Sequence, residues 1–365
     1  MIIGVPKEIK DNEFRVGIVP GGVEELVLAR HQVLLEKGAG LGSGIPDSEF
    51  VKAGARLVSS KRDLFRRSDM ILKVKEPQSS EYSFLHQGQI LFCYFHFAAS
   101  RPLTAAMLKR GVVAIAYETL RLPSGEHPLL TPMSEVAGKM AIQEGAKYLE
   151  RSMGGKGILL GGVPGVRPAK VVVLGGGVVG TNAAKTAAGL GAEVTVLDSN
   201  PTRLRYLDDI LPENVTTLVS NRRVVREEAK EADLFIGAVY IEGAKAPRLV
   251  TEEVVKQMKP GSVIVDVSID QGGCVATSRP TTHSKPVYVK HGIVHYCVTN
   301  IPGAVGMTST YALTNSTLPF ALKIANLGYQ EAARRDPAIQ HGLNLEKGRI
   351  IHPAVAAAFK SSPRI

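Results

Sequence analysis

The stretch Val171–Gly180 reads Val-Val-Val-Leu-Gly-Gly-Gly-Val-Val-Gly, and it constrains the fold more than any other part of the chain. A short apolar run of β type stops at glycines spaced Gly175-x-Gly177-x-x-Gly180, and an alanine-rich helical segment, Thr181–Leu190, follows at once. Strand, tight turn and helix are therefore consecutive. In such a turn the first glycine permits the sharp reversal, the second lets a pyrophosphate approach the backbone, and the third lets the helix pack closely. The helix N-terminus then faces the anion. Glycine-rich turns also occur in βαβ units that bind nothing, so context decides. Here Glu193–Leu197 reads as a second strand, and Asp198 closes it roughly 20 residues after the first glycine, where an acid binds ribose hydroxyls. The segment is read as a dinucleotide site.

With 365 residues the chain is long enough for two domains with separate cores. Its 44% hydrophobic and 21% charged residues are those of a globular protein. The N-terminus, Met1–Lys10, carries Lys7, Glu8 and Lys10 and no long apolar run, so the expectation is a cytoplasmic protein without a leader or membrane anchor. Cys93, Cys274 and Cys297 lack the paired spacings of a zinc site or a disulfide framework and are read as reduced thiols; no metal is expected. The net charge of +10 is spread along the chain, tryptophan is absent and aromatic residues are sparse, which argues against a nucleic-acid partner. A basic balance suits an anionic cofactor and a carboxylate substrate.

Before the glycine turn, apolar runs at Ile2–Val5, Val33–Glu36, Met70–Val74, Ile90–Phe95 and Val112–Tyr117 alternate with helical patterns at Gly22–Ala29, Asp47–Ala53 and Leu103–Lys109. That rhythm predicts a parallel sheet. Thr131-Pro132 opens a long helix to about Arg151, with Thr131 as N-cap and Pro132 at its first position. Gly154–Gly165 reads as a loop or short hairpin. A second βαβ series then runs through Val171–Leu174, Val194–Leu197, Leu234–Val239, Val263–Val267 and Val294–Val298, followed by a long helix over Tyr311–Gly328 and a short polar tail. The fold class is α/β: two doubly wound, parallel-sheet, Rossmann-like domains joined by long helices. Residues 1–130 with 303–365 form a substrate domain and residues 131–302 the NAD-binding domain. Two helical crossings would leave a cleft able to open and close.

Four ionisable residues fall at strand ends or in turns. Arg15 offers a fork of donors that suits a carboxylate, or is a surface arginine. Lys75 follows the Met70–Val74 run; alternation puts it on one face with Lys73, so one of the two is simply solvated. His96 ends the run Ile90–Phe95, where it either exchanges a proton near neutral pH or is structural. Asp270, after a strand over Val263–Ile269 and before Gln271-Gly272-Gly273, either orients a reactant or caps a helix. Together, a nicotinamide, a histidine, a carboxylate and two cations suit hydride removal from a carbon that bears an amine and a carboxylate.

The sequence resembles the NAD-dependent L-alanine dehydrogenases along nearly its whole length. The motifs are Gly4-Val5-Pro6-Lys7-Glu8, Glu13-Phe14-Arg15-Val16, Lys73-Val74-Lys75-Glu76-Pro77, Tyr94-Phe95-His96, Pro132–Gly138, Leu159–Val166, Ile269–Cys274 and Thr277–His283. The resemblance implies a hexamer that oxidatively deaminates L-alanine to pyruvate and ammonia, reversibly, so the partners are a small amino acid or 2-oxo acid and further copies of the chain. It implies that Arg15 and Lys75 hold the substrate, that His96 is the acid/base, and that Asp270 assists attack of water or ammonia. Ser134, Gly175, Gly177, Gly180, Asp198, Arg203, Ser220, Val239 and Arg279 would contact NAD. The charge of Asp198 repels a 2′-phosphate, whereas Arg203 and Arg205 leave room for one. Two other readings stand beside this one: the soluble NAD-binding component of a proton-translocating transhydrogenase, and a dehydrogenase acting on a larger amino acid. The family's usual proline and basic residue before Thr308-Ser309-Thr310 are replaced here by Gly306-Met307, which reads as a flexible, neutral turn.

Overall fold

The computed structural model describes residues 1–241 and 246–360. They divide into two compact units, Met1–Met133 with Gly303–Ile365, and Ser134–Pro302. The first begins with β1 (Ile2–Val5), β2 (Gln32–Glu36), β3 (Arg56–Val58), β4 (Met70–Leu72), β5 (Ile90–Cys93) and β6 (Val113–Ala116). The second carries β7 (Lys170–Leu174), β8 (Glu193–Asp198), β9 (Val215–Val219), β10 (Leu234–Gly237), β11 (Val263–Asp266), β12 (Val287–Lys290) and β13 (Ile293–Tyr296). The chain then adds β14 (Leu343–Glu346) and β15 (Arg349–Ile350) to the first unit.

Both sheets obey one winding rule. In the first unit the order is β15-β14-β6-β5-β4-β1-β2-β3, and in the second β12-β13-β11-β10-β7-β8-β9. Three strands build outward on one side, and the chain then returns to the other side of the first. β1 to β6 are all parallel, as are β7 to β11 with β13; the antiparallel additions are β14, β15 and β12. Each unit thus has a switch point, β1/β4 in one and β7/β10 in the other, where the loops at the carboxyl ends part and leave a crevice. Val171, Val172, Val173 and Leu174 are at most 1% exposed, as expected for a strand covered on both faces. Local signals set the flanking helices. Asn200 accepts from the N–H groups of Thr202 and Arg203 before Pro201–Ile210, and Asn221 does the same before Arg222–Glu231.

Several boundaries differ from those expected. The long helix is Thr131–Tyr148, so Thr131 is its first residue rather than its cap, and its hydroxyl donates back to the His127 carbonyl at 3.1 Å. The C-terminal region is not a polar tail. After Gly306–Leu327 come helices Tyr329–Arg335 and Pro337–Gly342, the β14–β15 hairpin and helix Pro353–Lys360. The hairpin turns through Lys347 (φ 49°) and Gly348 (φ 72°), two left-handed residues whose twist matches that of the strands. Gly306 is not a flexible turn either. It is buried at the start of its helix, where a β-carbon would come within 2.9 Å of the Phe14 β-carbon, and its carbonyl accepts from the Ser43 hydroxyl at 3.2 Å.

Candidate functional site

In the second unit the glycine turn lies at the switch point, and its three glycines do different things. Gly175 has φ 105°, a left-handed conformation, and a β-carbon there would come within 2.5 Å of the Ala238 carbonyl oxygen after β10. At Gly180 a β-carbon would overlap the carbonyl of Gly175, so only glycine lets helix Val178–Gly189 close on the strand. Gly177, the N-cap, is exposed and has nothing within 4 Å of such an atom. That open ground before the N-terminal amides of a 12-residue helix is the cradle a dinucleotide phosphate requires.

Asp198, Ser220 and Val239 lie at or just beyond the carboxyl ends of β8, β9 and β10, and Arg203 reaches back to the glycine turn. Asp198 ends β8; its Oδ2 accepts from Gly176 N–H at 2.7 Å and its Oδ1 from Asn200 N–H at 2.8 Å. Each oxygen keeps a second lone pair able to accept a further hydrogen bond. The Arg203 guanidinium donates to the Gly176 carbonyl at 2.6 Å and the Thr181 hydroxyl at 2.8 Å, and stands 4.7 Å over the Tyr206 ring. Ser220 N–H donates to the Asp198 carbonyl at 2.8 Å, and Val239 N–H to the Ser268 hydroxyl at 2.9 Å. Ser134 lies one turn before Gly138, where the absence of a side chain lets helix Thr131–Tyr148 press against Val179 and Asn182.

Asp270 does not follow a strand over Val263–Ile269. β11 stops at Asp266, and Val267–Gln271 is a 3₁₀ turn with Asp270 exposed on it. The cause is Asp266 itself. Fully buried, it accepts from Cys274 N–H at 3.0 Å and Val275 N–H at 3.2 Å, which folds the chain back at Gly272 (φ 95°) and Gly273 (φ 80°). Burial raises its pKa, against the hydrogen bonds that favour the charged form. Arg279 is exposed, with its guanidinium 4.3 Å over the Tyr288 ring, and its N–H donates to the Tyr288 hydroxyl at 2.9 Å.

In the first unit Lys75 and His96 stand beside Tyr94, and the Arg15 charge acts on the Tyr94 hydroxyl. Arg15 is no surface residue: it is 2% exposed and gripped by Glu13, with Nε to Oε1 at 2.6 Å and Nη2 to Oε2 at 2.5 Å, while Nη1 lies 3.0 Å from the Met133 sulfur. Burial alone would lower its pKa, but Glu13 outweighs this and raises it. Lys75 Nζ lies 5.9 Å from the Tyr94 ring centroid, and the His96 ring is parallel to that ring at 6.1 Å. Tyr94 is held in turn by its hydroxyl, which donates to the Leu129 carbonyl, and burial raises its pKa.

Lys73 corrects the expectation of a solvated partner. β4 ends at Leu72, and Lys73 is buried between Glu8 Oε2 at 3.2 Å and Glu81 Oε1 at 3.3 Å. Glu8 Oε1 accepts from Val74 N–H at 2.6 Å and Lys75 N–H at 3.4 Å, so the backbone that carries Lys75 is clamped. Burial raises the Glu8 pKa even against the Lys73 charge. Glu8, Glu13, Tyr94, Asp266 and Tyr288 were thus not singled out by sequence reasoning. Three of them lie inside the motifs quoted above, beside the residues they orient.

A glycine turn bonded to an acid on the neighbouring strand at the switch point of one α/β unit, and cations with a histidine after the strands of the other, set the class as a two-unit α/β protein with a dinucleotide-type turn. Two family models match the chain, alanine dehydrogenase/PNT N-terminal domain over residues 4–137 and alanine dehydrogenase/PNT C-terminal domain over residues 141–353. The chain is 59% identical to an alanine dehydrogenase of Methanococcus maripaludis over 98% of its own length and 96% of the relative's. A solved L-alanine dehydrogenase superposes with TM-score 0.96 at 52% identity, covering 99% of both chains. A transhydrogenase structure from Sinorhizobium meliloti gives TM-score 0.82 at 27% identity, covering 97% of this chain and all of that one. The chain belongs to the alanine dehydrogenase family. Among the described residues, no helix is long and apolar enough to cross a membrane, and no group of three or more His, Cys, Asp or Glu could hold a metal ion.

Proposed function

We propose that the chain catalyses the reversible, NAD-dependent oxidative deamination of L-alanine to pyruvate and ammonia, as a homo-oligomer, a hexamer by family resemblance, in the cytoplasm. The observation that carries this reading is the placing of Lys75 and His96 beside Tyr94, with buried Arg15 near enough for its charge to act on the Tyr94 hydroxyl, in a chain 59% identical to an alanine dehydrogenase. Arg15 and Lys75 bind the substrate carboxylate and carbonyl oxygen; Glu13 and Glu8 keep the two cations fixed, so little order is lost when the substrate arrives. NAD, when bound, accepts the hydride that leaves the α-carbon. His96 takes a proton from the water that adds to the resulting imine carbon and returns it to the leaving amine. Asp270 steadies the positive charge of the imine and orders the attacking water or ammonia. Ser134, Asp198, Arg203, Ser220, Val239 and Arg279 hold the cofactor, with its pyrophosphate over Gly175, Gly177 and Gly180.

The transhydrogenase reading is disfavoured by 27% identity to such a protein against 52% to an L-alanine dehydrogenase over comparable lengths. On this reading NAD is preferred over NADP because the Asp198 carboxylate, bonded to Gly176 of the glycine turn, would meet the ribose and repel a 2′-phosphate, while the Arg203 fork is already engaged by Gly176 and Thr181. With L-alanine and equal concentrations of each cofactor, kcat/KM is expected to favour NAD by at least about ten-fold. Equal rates, or a preference for NADP, would overturn this assignment of Asp198.

A further inference from the structure

We propose that Glu118 is a positioning residue for His96: its carboxylate fixes the left-handed turn from which the imidazole projects, and it acts through the main chain. The proposal rests on the reading of His96 as the acid/base. His96 has φ 52° and ψ 44°, a left-handed conformation that its β-carbon disfavours, although histidine adopts it more often than most residues with a side chain. Such a residue stays where it is only when its surroundings over-determine it.

Those surroundings can be named. Glu118 lies in the short turn Tyr117–Thr119 that follows β6, and β6 pairs in parallel with β5, Cys93 opposite Ala116. The two chain ends therefore leave the sheet side by side, and the Glu118 side chain spans them. Its Oε1 accepts from His96 N–H at 2.6 Å and from Phe95 N–H at 3.3 Å, and its Oε2 from Phe95 N–H at 3.2 Å, so one oxygen can serve both main-chain groups. These are charge-assisted hydrogen bonds to the main chain. On either side of His96 the rings of Phe95 and Phe97, each 1% exposed, stack at 4.4 Å, so its neighbours are anchored in the core while His96 is exposed. Without the acceptor, two N–H groups lose their partner and the turn can relax toward ordinary backbone angles. Any change in φ at His96 swings the imidazole away from its parallel setting against Tyr94.

Reach and charge can be separated by substitution. Glu118→Gln keeps the length and one acceptor oxygen; Glu118→Asp keeps the charge and loses the reach. Turnover of L-alanine by Glu118→Asp and Glu118→Ala is expected to fall by about ten-fold or more, with a larger solvent deuterium isotope effect on kcat because proton transfer at His96 has become limiting. Glu118→Gln should stay within about three-fold of the parent. NADH affinity and thermal midpoint should change little in all three. Turnover near the parent's in Glu118→Asp or Glu118→Ala, or a loss in Glu118→Gln as large as in Glu118→Ala, would overturn the proposal. His96→Ala runs alongside: full activity there would overturn the acid/base reading itself, whatever Glu118 does.

Discussion

Replacing His96 by Ala is expected to lower turnover of L-alanine by about 10²–10⁴-fold, the range a well-placed acid or base contributes. NADH affinity should stay within about two-fold, because the proposed cofactor cradle, the glycine turn and the strand ends around it, belongs to the other unit. His96 lies in the first unit, exposed and parallel to the Tyr94 ring, and the variant removes an imidazole that is no part of the buried core. Folding should therefore be intact. The measurement is steady-state NADH formation beside fluorescence titration with NADH. Unchanged turnover would take His96 out of the mechanism; loss of NADH binding would mean the substitution disturbs more than proton transfer.

The second large effect is expected at Glu13. Removing its carboxylate leaves the Arg15 guanidinium, 2% exposed, as a buried charge without its bidentate partner. Breaking a buried ion pair from one side costs about 3–5 kcal/mol. Glu13→Ala should lose stability on that scale, read as a lower urea midpoint, and its KM for L-alanine should rise because Arg15 is no longer held in one orientation. Glu13→Gln, which keeps one acceptor oxygen, should lose less. A Glu13→Ala protein with the parent's midpoint and KM would show that Arg15 finds its orientation elsewhere.

What the sequence disclosed and what it withheld follow from the range over which each feature is encoded. The turn Gly175–Gly180 was legible because its requirements are local: a left-handed residue, an open approach and a close packing, each met by glycine at a fixed spacing. The buried parallel strands were legible for the same reason, as runs of Val, Ile and Leu. Arg15 was not, because its burial depends on a fold that brings Met133 to its Nη1 and Thr310 to the N–H of Val16. Lys73 and Lys75 share a face in an extended strand. Only the termination of β4 at Leu72, with Glu8 and Glu81 waiting for Lys73, separates a structural lysine from the one beside Tyr94. The Asp270 turn was misread as strand because Val-Ser-Ile continues the apolar pattern of β11, while the group that ends the strand is the carboxylate of Asp266, bonded eight and nine residues ahead. At the C-terminus the signal was present: Leu-Asn-Leu-Glu, then Lys347-Gly348, then Arg-Ile is the pattern of a two-residue hairpin, although β15 is only two residues long.

The central claim is the identity of the substrate, and initial rates of NAD reduction with a panel of L-amino acids test it most directly. L-alanine should give the largest kcat/KM, ahead of the longer serine, valine and leucine, and the reverse reaction should need pyruvate and ammonia together. No NADH from any amino acid, or a larger amino acid exceeding L-alanine, would contradict the assignment.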